Sequence, residues 1–395
     1  MKRLLIPVAA VLLPACATTN LEPPAELVEF AETASFTEVW SEDIGDLKAR
    51  LRLGLVPATD GENIYVADHE GGVHAFRLAD GEKLWEYDTS EFSLFGDSTA
   101  IRFSAGPAVA DGRVAVGSLN GIVVMLDAAT GEKLWQESVE GELLAQPLMR
   151  AGLIVLRTTD GRIIALDAAT GERRWDTVRE VPSLTIRGHA ASVGDSRRVF
   201  IGLDNGKVIA LSSEDGSMLW EATIVVAAGV SALEEIGDVD GNLAWFGSEI
   251  YATSYNGNIA ALAVESGDVL WRQPLSSVKA PVVGFGDVFA TDINSVVHGY
   301  ERLSGAETWT QDALRARYLT APALFGDLLV VGDFEGYLHF LDITDGHLVA
   351  RVEHDGEPIT AQPLVVDDKL VVLSDDGELA VYSRVNRDDT ANDAD

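Results

Sequence analysis

The segment Asp127-Ala-Ala-Thr-Gly131-Glu-Lys-Leu-Trp135 returns almost unchanged as Asp167-Ala-Ala-Thr-Gly171-Glu-Arg-Arg-Trp175. Weaker copies end at Trp85, Trp220, Trp271 and Trp309, so indoles recur at intervals of 50, 40, 45, 51 and 38 residues. A period of roughly 40–50 residues is that of a four-stranded propeller blade. A chain of 395 residues would otherwise suggest two or three domains. Repeats of this length instead predict a single closed ring.

The strands can be read inside one repeat. In the second, Gly106-Pro-Ala-Val-Ala110 is an inner strand, Arg113–Gly117 the next and Ile122–Asp127 the third, and 133–137 carries Trp135 as the outer strand. Asn120-Gly121 between the second and third strands suits a two-residue type I′ turn, and Thr130-Gly131 makes the following turn. Seven complete repeats run from Pro57 to Ala350, and an eighth starts at Ala361-Gln-Pro363 but stops at Tyr382-Ser-Arg384 before any outer strand. Residues 36–45, with Trp40 in the right setting, supply that strand from the other end of the chain. The expected fold is therefore an all-β, eight-bladed propeller of four-stranded antiparallel blades, closed by the N-terminal strand, which leaves no blade incomplete. Trp40, Trp85, Trp135, Trp175, Trp220, Trp271 and Trp309 are expected to pack between neighbouring blades. Trp245 lies outside the pattern. Ala350 stands at the tryptophan position of the seventh blade, so that joint must be packed differently.

The N-terminus reads as an address. Lys2 and Arg3 precede an apolar run, Leu4–Leu13, too short to span a bilayer. Leu13-Pro14-Ala15-Cys16 resembles a bacterial lipobox, and Cys16 is the one cysteine in the chain. The expectation is a lipoprotein signal peptide at 1–15, lipidation at Cys16 and a tether at 16–35, within which Ala25–Ala31 could form a short helix. Acyl chains anchor a protein without a spanning helix. Ala17, in place of an Asp after the lipidated Cys, points to the periplasmic face of the outer membrane. The propeller is expected over 36–384 and a disordered acidic tail over 385–395.

Composition narrows the function. Acidic residues number 63 against 29 basic ones, a formal net charge of −34, which repels nucleic acid. A lone cysteine excludes an intramolecular disulfide and any multi-cysteine metal centre. There is no Gly-x-Ser-x-Gly, His-Glu-x-x-His or Gly-x-x-x-x-Gly-Lys-Ser/Thr motif. His74, His298 and His339 share one register on the third strand of three blades. Equivalent positions on different blades are spread around a ring, whereas a metal needs its ligands about 2 Å away. No catalytic, cofactor or metal site is expected. The Asp-Gly and Asn-Gly pairs read as turns before they read as calcium ligands.

The Asp-x-x-Thr-Gly-x-x-x-Trp repeat resembles that of the quinoprotein dehydrogenases, eight-bladed enzymes that hold a quinone cofactor with calcium. The adjacent-cysteine disulfide those enzymes often carry is impossible here. Four stretches, Pro182-Ser-Leu-Thr-Ile-Arg-Gly188, Ile236-Gly-Asp-Val-Asp240, Ser254-Tyr-Asn-Gly-Asn258 and Val331-Gly-Asp-Phe-Glu-Gly-Tyr-Leu-His339, together with the lipobox and the eight repeats, resemble the BamB family of outer-membrane protein assembly lipoproteins. That resemblance implies a non-catalytic scaffold of the β-barrel assembly machine that binds the periplasmic POTRA domains of BamA and aids insertion of outer-membrane proteins. Its BamA-contacting positions map to Leu184, Ile186 and Arg187 before the fourth blade and to Asp238 and Asp240 one blade on. Read from the residues alone, Leu184 and Ile186 could equally begin the inner strand of the fourth blade. A quinone-dependent dehydrogenase and a general envelope adaptor are the alternative functions.

Overall fold

A computed structural model describes residues 22–45, 47, 53–89, 100–185, 190–225 and 237–385. Among them there is no helix, and the strands fall into eight sheets. Blades 1 to 7 cover 58–88, 103–138, 148–178, 193–223, 244–274, 282–311 and 323–353, each with its four strands in chain order. Blade 8 takes three strands from 364–384 and its outer strand from Phe36–Asp43, paired antiparallel with Glu378–Arg384. The ring is thus closed as the sequence suggested.

The burial of each strand explains its composition. Second and third strands, such as Leu153–Arg157 and Arg162–Asp167, are covered on both faces and so read as unbroken apolar runs. Outer strands alternate, as in Arg173–Val178, where Trp175 is the residue that turns inward. The hydrophobic core lies between blades: Phe200, Val208, Ala210 and Trp220 of blade 4 form one cluster with Ile250, Ala252, Ala260 and Leu262 of blade 5.

Each repeat tryptophan bridges to the following blade. The indole N–H of Trp85 donates to Ala128 O at 2.8 Å, and that of Trp220 to Val264 O at 3.0 Å. Trp40, Trp135, Trp175, Trp271 and Trp309 donate likewise to Leu78, Ala168, Ser213, Arg302 and Ile343. The ring then lies on the Thr-Gly-type turn of that blade. A Cβ on Gly267 would stand 2.5 Å from the Trp220 ring, and Gly267 has φ +74°. Both the close approach and the left-handed backbone demand glycine. The leading Asp of the motif secures the same turn: Asp127 Oδ1 accepts the amides of Ala129 and Thr130 at 3.0 Å each.

This arrangement accounts for Ala350. In blade 8 the third and fourth strands come from opposite ends of the chain, so no turn joins them and there is no glycine seat for an indole from blade 7. Phe36 fills the joint instead, stacked on Phe340 with centroids 3.7 Å apart beside the buried Ala350. Trp245 packs edge-on against Phe200 at 5.5 Å, inside the blade 4–5 cluster.

Several local expectations need correction. The turn at Asn120-Gly121 is not type I′, since only Gly121 has positive φ and its amide bonds to Ser118 O at 3.0 Å. A type I turn followed by one left-handed residue forms the longer hairpin, and the glycine is needed at the bulge position. At Asn256-Gly257 the left-handed residue is the asparagine, φ +49°. The inner strand of blade 2 is Phe103–Ala110, longer than expected: Phe103 and Ala105 pair with Ser118 and Gly117 of the second strand, and Gly54–Leu55 adds in parallel on the other side, making that sheet five-stranded. Ala25–Ala31 forms no helix. The segment runs along blades 6 and 7, where its backbone is engaged: Ala25 N donates to Arg315 O and Thr33 N to Val349 O, both at 2.9 Å.

Candidate functional site

The up-and-down course of each blade places the inter-blade connections and the second-to-third-strand turns on one face of the ring. On this face a repeat residue closes the turn with its side chain in seven of the eight blades, blade 4 carrying Leu203 there instead. Asp68, Ser118, Thr158, Ser254, Asp292, Asp333 and Ser374 accept the amide four residues on, at 2.8–3.1 Å. The three histidines in register belong to the three turns closed by Asp in this way. His74 Nε2 lies 3.1 Å from Asp68, His339 Nε2 2.8 Å from Asp333, and His298 Nε2 3.9 Å from Asp292. Ser and Thr have no second oxygen to offer a ring nitrogen, which is why the histidines keep company with aspartates. They are separate pairs on separate blades and do not converge.

One of these pairs extends into a buried chain. Arg317 Nε donates to Asp333 at 2.7 Å, and Arg351 Nε to His339 Nδ1 at 3.3 Å. Burial pushes the His339 imidazole below the usual histidine range. Both arginines hold the N-terminal segment, Arg317 through Ala25 O at 3.0 Å and Arg351 through Val28 O at 3.3 Å.

Ahead of each of these turns, the last core residue of the second strand is small where an aliphatic side chain from an inter-blade connection wedges against it. Leu143 sits on Gly117, Val239 on Gly202 and Ile359 on Gly332. A Cβ on Gly202 would be 2.6 Å from Val239 Cγ1. Val239 N also donates to Leu203 O at 3.1 Å, and Tyr255 N to Asp238 O at 2.9 Å. The Asp-Val-Asp sequence is therefore pinned over blades 4 and 5, with Asp238 fully buried and Asp240 8% exposed.

In blade 3 the position homologous to those glycines is Arg157. Arg157 is 9% exposed, and its guanidinium ion-pairs through Nη2 with Asp204 of blade 4, itself buried. Among the described residues Nη1 has no hydrogen-bond partner. Leu144, Ala145, Arg157, Thr158, Thr159, Thr185 and Asp204 line a partly open cavity of about 200 Å³. Both carboxylate oxygens of Asp240 are buried without a hydrogen bond among the described residues. Burial, and then the charges of Asp238 and Asp204, push the Asp240 carboxyl up to about 7, against the pull of Arg157.

The sequence-derived site residues divide on this face. Leu184 is 43% exposed, in the connection before blade 4. The inner strand of that blade is Val193–Gly194, so Leu184 does not begin it. Asp238 and Asp240 lie beneath the surface, where their carboxylates can set the shape of the connection more readily than touch a partner. Cys16, Ile186 and Arg187 lie outside the described residues. Arg157 and Asp204 were missed. The signal that could have found Arg157 is its repeat position, occupied in the other blades by Ala67, Gly117, Gly202, Thr253, Thr291, Gly332 and Leu373, none of them charged.

The fold and the site together define a class: a tryptophan-docked eight-bladed propeller whose polar features gather on the inter-blade face. A family model described as "Outer membrane protein assembly factor BamB" matches residues 8–100, 93–311 and 293–390. The chain is 41% identical over 366 residues to the outer membrane protein assembly factor BamB of Xanthomonas campestris, covering 93% of this chain and 90% of that one. It is 37% identical to BamB of Escherichia coli K12, over 97% of this chain and 99% of that one. Among solved structures, BamB from Moraxella catarrhalis superposes with a TM-score of 0.79 at 25% identity, over 88% of this chain and all of that one. This chain belongs to the BamB family.

Proposed function

We propose that this chain is an outer-membrane protein assembly factor, a non-catalytic scaffold of the β-barrel assembly machine at the periplasmic face of the outer membrane. It is anchored by acyl chains on Cys16 and binds the POTRA domains of BamA through Leu184, Ile186 and Arg187, with Asp238 and Asp240 holding the neighbouring connection from beneath. Family membership over the whole propeller supports the assembly role. The observation that carries the surface is Leu184, a large aliphatic side chain left open beside buried charged groups, where an apolar residue gains by meeting a partner.

The Leu184→Ala/Arg187→Ala double variant keeps its melting temperature and recovers BamA from detergent-solubilised membranes roughly tenfold less well or worse. Undiminished recovery by a folded variant removes this surface from the interface. Cys16→Ala moves the protein from the membrane pellet to the soluble periplasmic fraction. Continued sedimentation with outer membranes argues against lipid anchoring.

A further inference from the structure

The cavity between blades 3 and 4 combines features that differ from every other joint. Its floor is the one charged residue at a repeat position that is otherwise small or aliphatic. That residue, Arg157, spends one amino group on Asp204, and the other is buried with no partner among the described residues. A buried donor without an acceptor is costly, and such groups normally have a partner. Thr185, adjacent in sequence to the exposed Leu184, forms part of the wall.

The size and charge of the cavity select its occupant. At about 200 Å³ it is below the 300–1,000 Å³ usual for cofactor pockets, but it admits one side chain or a loop tip. Asp204 lies in the wall, and its charge and that of Asp238 already raise the Asp240 carboxyl. A further anion would be repelled, whereas a neutral oxygen satisfies the guanidinium without adding charge. We propose that this cavity is a polar socket for the protein partner, in which Nη1 of Arg157 donates to a neutral oxygen, a main-chain carbonyl or carboxamide, that the partner inserts beside Leu184. The socket rests on the reading that this face binds BamA, and it supplies the chemistry of that contact.

The test uses the full-length lipidated chain and purified BamA. Arg157→Lys keeps a positive charge opposite Asp204 but loses the planar fork that serves two acceptors at once. It is expected to weaken BamA binding roughly ten- to a hundredfold with an unchanged melting temperature. Ala145→Leu, which fills the cavity and leaves Arg157 in place, is expected to weaken binding comparably. A second arm places a benzophenone on Ser183→Cys, at the exposed rim, and irradiates living cells. The expected adduct is with BamA and is lost when Arg157→Lys is added. If BamA binds the unaltered chain and both cavity variants within twofold, the socket is overturned while the BamA reading stands. If the unaltered chain does not bind BamA, that reading fails. The socket then survives only if the photo-adduct, with whatever envelope protein it forms, disappears with Arg157→Lys; an absent or insensitive adduct overturns it.

Discussion

Trp220→Ala is expected to lower the stability of the ring by about 3–5 kcal/mol, the usual cost of deleting a buried indole. Trp220 is 9% exposed, joins the blade 4–5 cluster, and gives its N–H to Val264 O across the joint. Removal therefore opens a cavity and strands a carbonyl together. For a chain of this size the thermal midpoint should fall on the order of 5 °C. Gly267→Ala attacks the same joint from the other side and is expected to destabilise it without altering any aromatic residue. The added methyl would meet the indole at 2.5 Å in a left-handed backbone that alanine resists. Chemical denaturation of both variants checks the mechanism. A loss below about 1 kcal/mol for Trp220→Ala would mean that the repeat indoles do not hold the blades together.

The second large effect concerns closure. Deleting the strand Phe36–Asp43 removes Trp40 from its seat on blade 1 and Phe36 from its stack on Phe340. Each of these half-buried aromatics costs up to roughly 3–5 kcal/mol, and with the lost strand pairing the combined loss approaches the stability of an ordinary domain. It also bares the Glu378–Arg384 strand as an unpaired edge between two blades. The expected product is an aggregating or strand-exchanged oligomer, seen by light scattering coupled to size exclusion. A stable, monomeric, fully folded truncation would show that the N-terminal strand is dispensable to the ring.

Most of the architecture was open to reading because each blade repeats the same local chemistry. Each nine-residue motif, as in Asp127–Trp135, holds an indole, the aspartate that ties its turn and the glycine that seats the preceding blade's indole, so the spacing survives in sequence. Exceptions arose where one blade borrows from a distant part of the chain. Nothing near Ala350 announces Phe36, and nothing near Phe103 announces the pairing with Gly54–Leu55. The histidine register was visible, but its cause was not, because the aspartate partners lie across a turn whose other variants use Ser, Thr or Leu.

The candidate surface followed the same division. Leu184 could be chosen from sequence but not placed, since an apolar residue before a strand reads as readily as the strand itself. Asp238 and Asp240 look like surface carboxylates until Val239 between them is seen wedged onto Gly202.

The number of blades, the joint chemistry and the closure of the ring are written in the order of the residues, because they depend on contacts repeated at a fixed period. Which charges are buried, and where a cavity replaces a wedge, emerges only once the blades are assembled. Those outcomes depend on single residues meeting across blades, Arg157 with Asp204 foremost. A repeat pattern records what its copies share, whereas a site is built where one copy departs from the others.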